Sequence, residues 1–94
     1  MLEDTERALP VACDSQTVPD ARAIPIWSAW AYAARAQHHF HFATEPVGIP
    51  IDRFLERTLP FLAENSDLVG PDWDGNLAGL EIEPETLANA LRSI

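Results

Sequence analysis

Residues 25–37 of the chain read PIWSAWAYAARAQ, and this stretch decides the predicted fold. Five of its residues are alanine, the best helix former, and Pro25 can occupy the first turn of a helix, where proline is tolerated. Trp27 and Trp30 are three positions apart, so a helix places both on one face. We therefore predict a helix from Ile26 to Gln37 that buries these two indole rings.

Two further helices are predicted from local signals on either side of this stretch. Residues 2–9 carry acidic side chains near their start and are followed by Pro10, which is typical of a short helix that ends at the proline. Asp52 precedes apolar residues at helical spacing, so it can cap a second helix. Pro60 falls inside that pattern and predicts either a kink or two short helices.

The last helix is predicted to begin near Pro84, with Glu85 in its first turn. The predicted fold class is therefore mainly α, a small single domain of three or four short helices that spans residues 1–94. The alternative is an α+β fold with one or two short strands near residues 38–43 and 79–82.

Residues 38–42 read HHFHF and are compatible with two conformations. As a strand they place Phe40 and Phe42 on one face and His39 and His41 on the other, whereas a helical continuation brings His38 and His41 together. Aromatic enrichment favours the strand.

The three histidines of this stretch also suggest a metal site. Imidazole is a common ligand of zinc and copper, but a tetrahedral zinc site needs three or four ligands, and Cys13 is the only other soft donor. We predict no cofactor. A metal-binding module remains the weaker alternative, and its ligands would be His38, His39 and His41.

Oxygen donors at a calcium-loop spacing occur near residue 74. Asp72, Asp74, Asn76 and Glu83 stand at four ligand positions of a calcium-binding helix-loop-helix, but Leu77 occupies the position that requires glycine. The pattern therefore favours a structural turn over a calcium site.

The overall charge excludes several classes of partner. Fifteen acidic residues against six arginines, with no lysine, give a net charge of −9. Nucleic acids and anionic membranes are bound by clustered basic residues, so neither is an expected partner. One cysteine forms no internal disulfide, and an acidic N-terminal stretch differs from a signal peptide. We expect a cytoplasmic protein, either a monomer or a small homo-oligomer.

Between Arg57 and Arg92 there is no basic residue, although seven carboxylates fall there. Such a surface attracts a basic protein partner, and Trp73 could anchor the interface. The predicted partner-binding residues are Glu64, Asp67, Asp72, Trp73, Asp74, Glu81, Glu83 and Glu85.

The pattern predicts a protein that binds and inhibits or neutralises a protein partner. Anti-defence proteins such as anti-CRISPRs, immunity proteins and antitoxins act in this way, in some cases by occupying a basic nucleic-acid-binding surface. Charge reversal at Asp72, Asp74, Glu81 and Glu83 is expected to abolish binding. No catalytic motif is present, so we do not expect an enzyme. A structural subunit with exposed Trp27, Trp30 or Phe40 is a further alternative.

Overall fold

The computed structural model describes residues 1–7, 9–28, 30–40, 43–74, 77 and 79–93, without the side chain of Trp30. The strands are β1 (Leu2–Asp4), β2 (Leu9–Pro10), β3 (Cys13–Asp14), β4 (Arg22–Ile26), β5 (Thr44–Pro46) and β6 (Leu68–Pro71). The helices are α1 (Trp30–Ala36), α2 (residues 51–64) and α3 (Pro84–Arg92). This architecture is α+β, and the prediction of a mainly α fold is wrong.

The chain begins with a β-hairpin where a helix was predicted. β1 is the central strand of an antiparallel sheet of order β2-β1-β5. The backbone turns after β1 because Asp4 Oδ1 accepts hydrogen bonds from the amides of Glu6 (3.0 Å) and Arg7 (3.3 Å). Such a side-chain-capped turn uses the acidic residues that also suit a first helical turn, which explains the incorrect prediction.

The second sheet has the order β3-β4-β6, and β4 is parallel to β6. Pro25 is fully buried within β4 and does not begin a helix. Ile26 O accepts a hydrogen bond from the amide of Asp72, so the backbone polar groups of Ile26 point toward β6. Because these groups alternate sides along a strand, the backbone nitrogen of Pro25 points away from β6. On that side β3 pairs only with Arg22 and Ala23. The missing N–H of Pro25 therefore costs no ladder hydrogen bond.

Helix α1 begins at Trp30, later than predicted, and continues as the 3₁₀ turn Gln37–His39. The α+β class of the alternative prediction is confirmed, but none of the described residues of 38–43 and 79–82 belongs to one of the six strands. His38 and His39 lie in this 3₁₀ turn, residues 41–42 lie outside the described part of the chain, and in the stretch 79–82 only Ile82 pairs, through one bridge to Val69.

Helix α2 contains the irregularity that Pro60 predicts. It consists of Ile51–Arg53, a π-helical segment Phe54–Thr58, and the helix Leu59–Glu64. Leu59 N donates to Phe54 O, five residues back, so the hydrogen-bond spacing widens immediately before Pro60. A widened turn accommodates a residue that has no N–H and whose ring crowds the preceding turn.

Two hydrophobic clusters form the core. The larger packs the second sheet against α2 and α3 through Ile24, Val69, Leu59, Leu62 and Ala88. The smaller joins the first sheet to α1, and its buried members are Leu2, Val11, Ala33 and Ala36. No helix in the described part of the chain is both long enough and apolar enough to cross a membrane.

Candidate functional site

The carboxyl ends of the parallel strands β4 and β6 lie side by side, and polar groups meet there. Asp72, which follows β6, donates its amide to Ile26 O at 2.7 Å. Ser28, just beyond β4, donates to Asp72 Oδ1 from its amide (2.7 Å) and from Oγ (3.1 Å). Ligands of parallel sheets commonly bind at this edge.

Asp72 adopts a left-handed backbone conformation with φ of 45°. Among residues other than glycine, aspartate and asparagine tolerate this conformation best. The amide bond to Ile26 and the two hydrogen bonds from Ser28 fix both the backbone and the carboxylate of Asp72. The carboxylate therefore has a defined position at the end of the sheet.

Trp73 is buried, with 5% of its surface exposed. Its Nε1 donates to Leu80 O at 2.8 Å, and its carbonyl oxygen accepts a hydrogen bond from Trp27 Nε1 at 2.9 Å. Gly70 and Gly79 both lie against its ring. Trp73 is thus part of the protein interior and is not exposed for contact with a partner, contrary to its predicted role as an interface anchor.

A cavity of about 470 Å³ opens next to Asp72. Its wall is mainly apolar and comes from the ends of β4 and β6, from α1, from residues 46–49, from the start of α2 and from α3. Ser28 and Asp72 supply the polar side chains, and no arginine or histidine of the described residues lines it. Met1 also contributes to the wall, where its amino group donates to Val47 O at 3.1 Å and burial lowers its pKa.

Asp67, a predicted partner-binding residue, is buried and paired. It is 4% exposed, and Arg22 of β4 binds both of its oxygens, with Nε to Oδ1 at 3.2 Å and Nη2 to Oδ2 at 3.1 Å. Arg22 is 45 positions away in sequence, so the local charge pattern around Asp67 does not indicate this pair. Asp67 is therefore a structural residue and not part of a docking surface.

Glu81 is also bound within the fold. Its Oε1 accepts hydrogen bonds from Ser15 Oγ and from Thr17 Oγ1 (2.9 Å), and its Oε2 accepts the amide of Gln16 (2.7 Å). Desolvation raises the pKa of Glu81, but these hydrogen bonds outweigh it and the net pKa is lowered. Glu81 thus connects the loop after β3, residues 15–17, to the segment that precedes α3.

Five predicted residues are exposed: Asp72, which Ser28 binds, and four that we call the exposed carboxylate set, Glu64, Asp74, Glu83 and Glu85. Glu64 is the last residue of α2, while Glu83 and Glu85 flank the start of α3. Residues of α2 and α3, among them Pro60 and Glu85, line one shallow groove, so the two helices lie side by side. Three members of the set therefore lie on or next to this helix pair.

Residues 1–91 match the family described as protein of unknown function (DUF2750). The chain belongs to this family. No curated protein and no solved structure matches it.

The structure of this DUF2750 chain bears on the predicted metal sites. His38 Nδ1 donates to Arg35 O at 2.8 Å, and the rings of His38 and His39 lie 4.1 Å apart. His41 and Asn76 are outside the described residues. Among the residues that are described, no three His, Cys, Asp or Glu side chains form a group suited to a metal ion.

Two aromatic residues of the predicted subunit interface, Trp27 and Phe40, are only partly exposed. Trp27 and Phe40 are half-buried and pack against the smaller core cluster, and the described part of the structure does not include the Trp30 side chain. The hydrogen bond from Trp27 Nε1 to Trp73 O holds the Trp27 ring in place. In this DUF2750 chain the Trp27 and Phe40 side chains therefore contribute to the interior packing.

Proposed function

We propose that this chain binds a protein partner with a basic surface and inhibits or neutralises it in the cytoplasm. The observation that supports this proposal is the exposure of Glu64, Glu83 and Glu85, which lie on or next to the adjacent helices α2 and α3. In the sequence, no basic residue occurs between Arg57 and Arg92.

Exposed carboxylates attract a basic partner at a distance, before the two surfaces touch. Their combined negative potential, on a chain of net charge −9, attracts a basic surface and increases the rate of encounter. A nucleic-acid-binding groove is one such surface, because it presents lysine and arginine in the arrangement that phosphates require.

The proposed docking surface is smaller than the sequence pattern indicates. Asp67 is paired with Arg22, Glu81 accepts three hydrogen bonds, and Asp72 is bound by Ser28. Replacing these residues would perturb the fold and would not report on docking. The residues to test are the exposed carboxylate set.

The experiment is affinity capture from the lysate of the source organism or its natural host. Immobilised protein is washed at about 50 mM and at about 500 mM salt, because salt screens interactions between exposed charges. We expect one basic protein to be retained in near-stoichiometric amount and released at high salt. Retention that is insensitive to salt, or of an acidic protein only, would contradict the proposal.

A further inference from the structure

We propose that the cavity beside Asp72 binds a small organic cation with an apolar body, such as an aryl- or alkylammonium compound. The cavity has a volume of about 470 Å³, within the range of about 300–1,000 Å³ that is typical of small-molecule sites. Its wall is mainly apolar, and Asp72 supplies the one acidic side chain that lines it among the described residues. This combination matches a ligand whose carbon skeleton is buried and whose single charge is positive.

The carboxylate of Asp72 retains the capacity to bind such a ligand. A carboxylate accepts about four hydrogen bonds. Both bonds from Ser28 end on Oδ1, and within the described residues no hydrogen bond reaches Oδ2. Because Ser28 and the Asp72 backbone fix the orientation of the group, an ammonium ion meets an oxygen that is already positioned, which reduces the entropic cost of binding.

Trp27 supports the same ligand class from the cavity wall. Its ring is held by the hydrogen bond from Nε1 to Trp73 O. Indole is the aromatic group that attracts cations most strongly. The amino group of Met1 is the one positive group of the described wall, and it is bonded to Val47 O with a pKa that burial lowers, which weakens its repulsion of a cation.

The test compares three probes that share one carbon skeleton: phenethylammonium, neutral 2-phenylethanol and anionic phenylacetate. Each is titrated into the protein while NMR follows the Trp27 indole and the Ser28 amide. We expect the ammonium compound to bind about 3- to 10-fold more tightly than the alcohol, as expected for one partly exposed charge-assisted contact, and phenylacetate to bind most weakly.

Two variants identify the source of this preference. In Asp72→Asn the left-handed backbone and an acceptor oxygen for Ser28 are retained while the charge is lost, so the ammonium compound and the alcohol should bind equally. Glu64→Gln removes the same charge from the end of α2, outside the cavity wall, and should leave the preference intact.

Three results would overturn this inference. They are equal binding of ammonium and alcohol to the unmodified protein, tighter binding of phenylacetate, and no response of the Trp27 and Ser28 signals to any probe. The probe series on the unmodified protein decides the matter even if Asp72→Asn does not fold. The exposed carboxylate set is not part of the cavity, so failure here leaves the proposed function unaffected.

Discussion

The indole ring of Trp73 lies so close to the backbone of Gly70 that a Cβ atom at position 70 would be 2.1 Å from Trp73 Cε2. A methyl group does not fit in this space, and the ring is held by its hydrogen bond to Leu80 O. We predict that Gly70→Ala lowers the free energy of unfolding by about 2 kcal/mol or more through overpacking. Urea denaturation followed by circular dichroism measures the loss.

Gly48→Ala is the matched control for this substitution. A Cβ atom at position 48 would have no atom within 4 Å apart from those of residues 47–49, and the backbone there is not left-handed. The variant should be as stable as the unmodified protein or more stable, by up to about 1 kcal/mol. Equal losses in the two variants would mean that Trp73 does not occupy the position described.

The pair of Arg22 and Asp67 gives a second prediction. Arg22→Met removes the guanidinium and leaves the buried Asp67 carboxylate without its partner, so stability should fall by about 1–3 kcal/mol. Arg92→Met, at the exposed end of α3, should change stability by less than about 0.5 kcal/mol. A similar urea midpoint for both variants would contradict a structural role for the pair.

Glu81 predicts a pH dependence of stability. Because its pKa in the folded protein is lowered from the ordinary value of 4.5, its contribution is fully present above that value and is lost as the pH falls below it, through the folded pKa. Glu81→Gln should cost about 1 kcal/mol at pH 7 and should reduce the loss of stability between about pH 5 and pH 3. Unchanged slopes of unfolding free energy against pH would show that the Ser15, Gln16 and Thr17 contacts do not stabilise the folded state.

Two features that follow from local signals agree with the structure, although the helix predicted for residues 2–9 from such signals does not. Helix α3 begins at Pro84, as the proline and Glu85 indicate, and α2 contains an irregularity next to Pro60. Both depend on residues within one or two turns of each other. The caps and breakers of a helix are visible in a single sequence for this reason.

The strands were missed because some have partners that are distant in sequence and others are very short. β1 pairs with β5, about forty residues later, and β2 and β3 contain two residues each, which is too short for an alternating pattern. Pro25 is tolerated in β4 only because β3 does not extend to its side. That arrangement depends on tertiary structure, and no local pattern indicates it.

The candidate site was predicted only in part, because it too depends on contacts between residues that are distant in sequence. The acidic tract was visible in the sequence, but Arg22 and the loop at Ser15, which bind Asp67 and Glu81, come from strands and turns far away in the chain. The cavity beside Asp72 depends on the parallel pairing of β4 and β6, which the predicted helical fold did not contain.

The proposed function depends on which carboxylates contact the partner, and two fourfold charge reversals separate them. The site variant replaces the exposed carboxylate set with lysine. The control variant makes the same change in charge at four other exposed acidic residues, Glu6, Glu45, Asp52 and Glu56. Equal urea midpoints establish that both variants are folded before binding is compared.

The most direct measurement is the Kd of each variant for the purified captured partner, by titration calorimetry at about 50 mM salt. Four lost contacts of about 0.7 kcal/mol each predict about 100-fold weaker binding for the site variant. The control should weaken binding only a few-fold, through the change in overall charge. Equal weakening in both variants, or unchanged binding by the site variant, would contradict the proposal that the exposed carboxylate set is the docking surface.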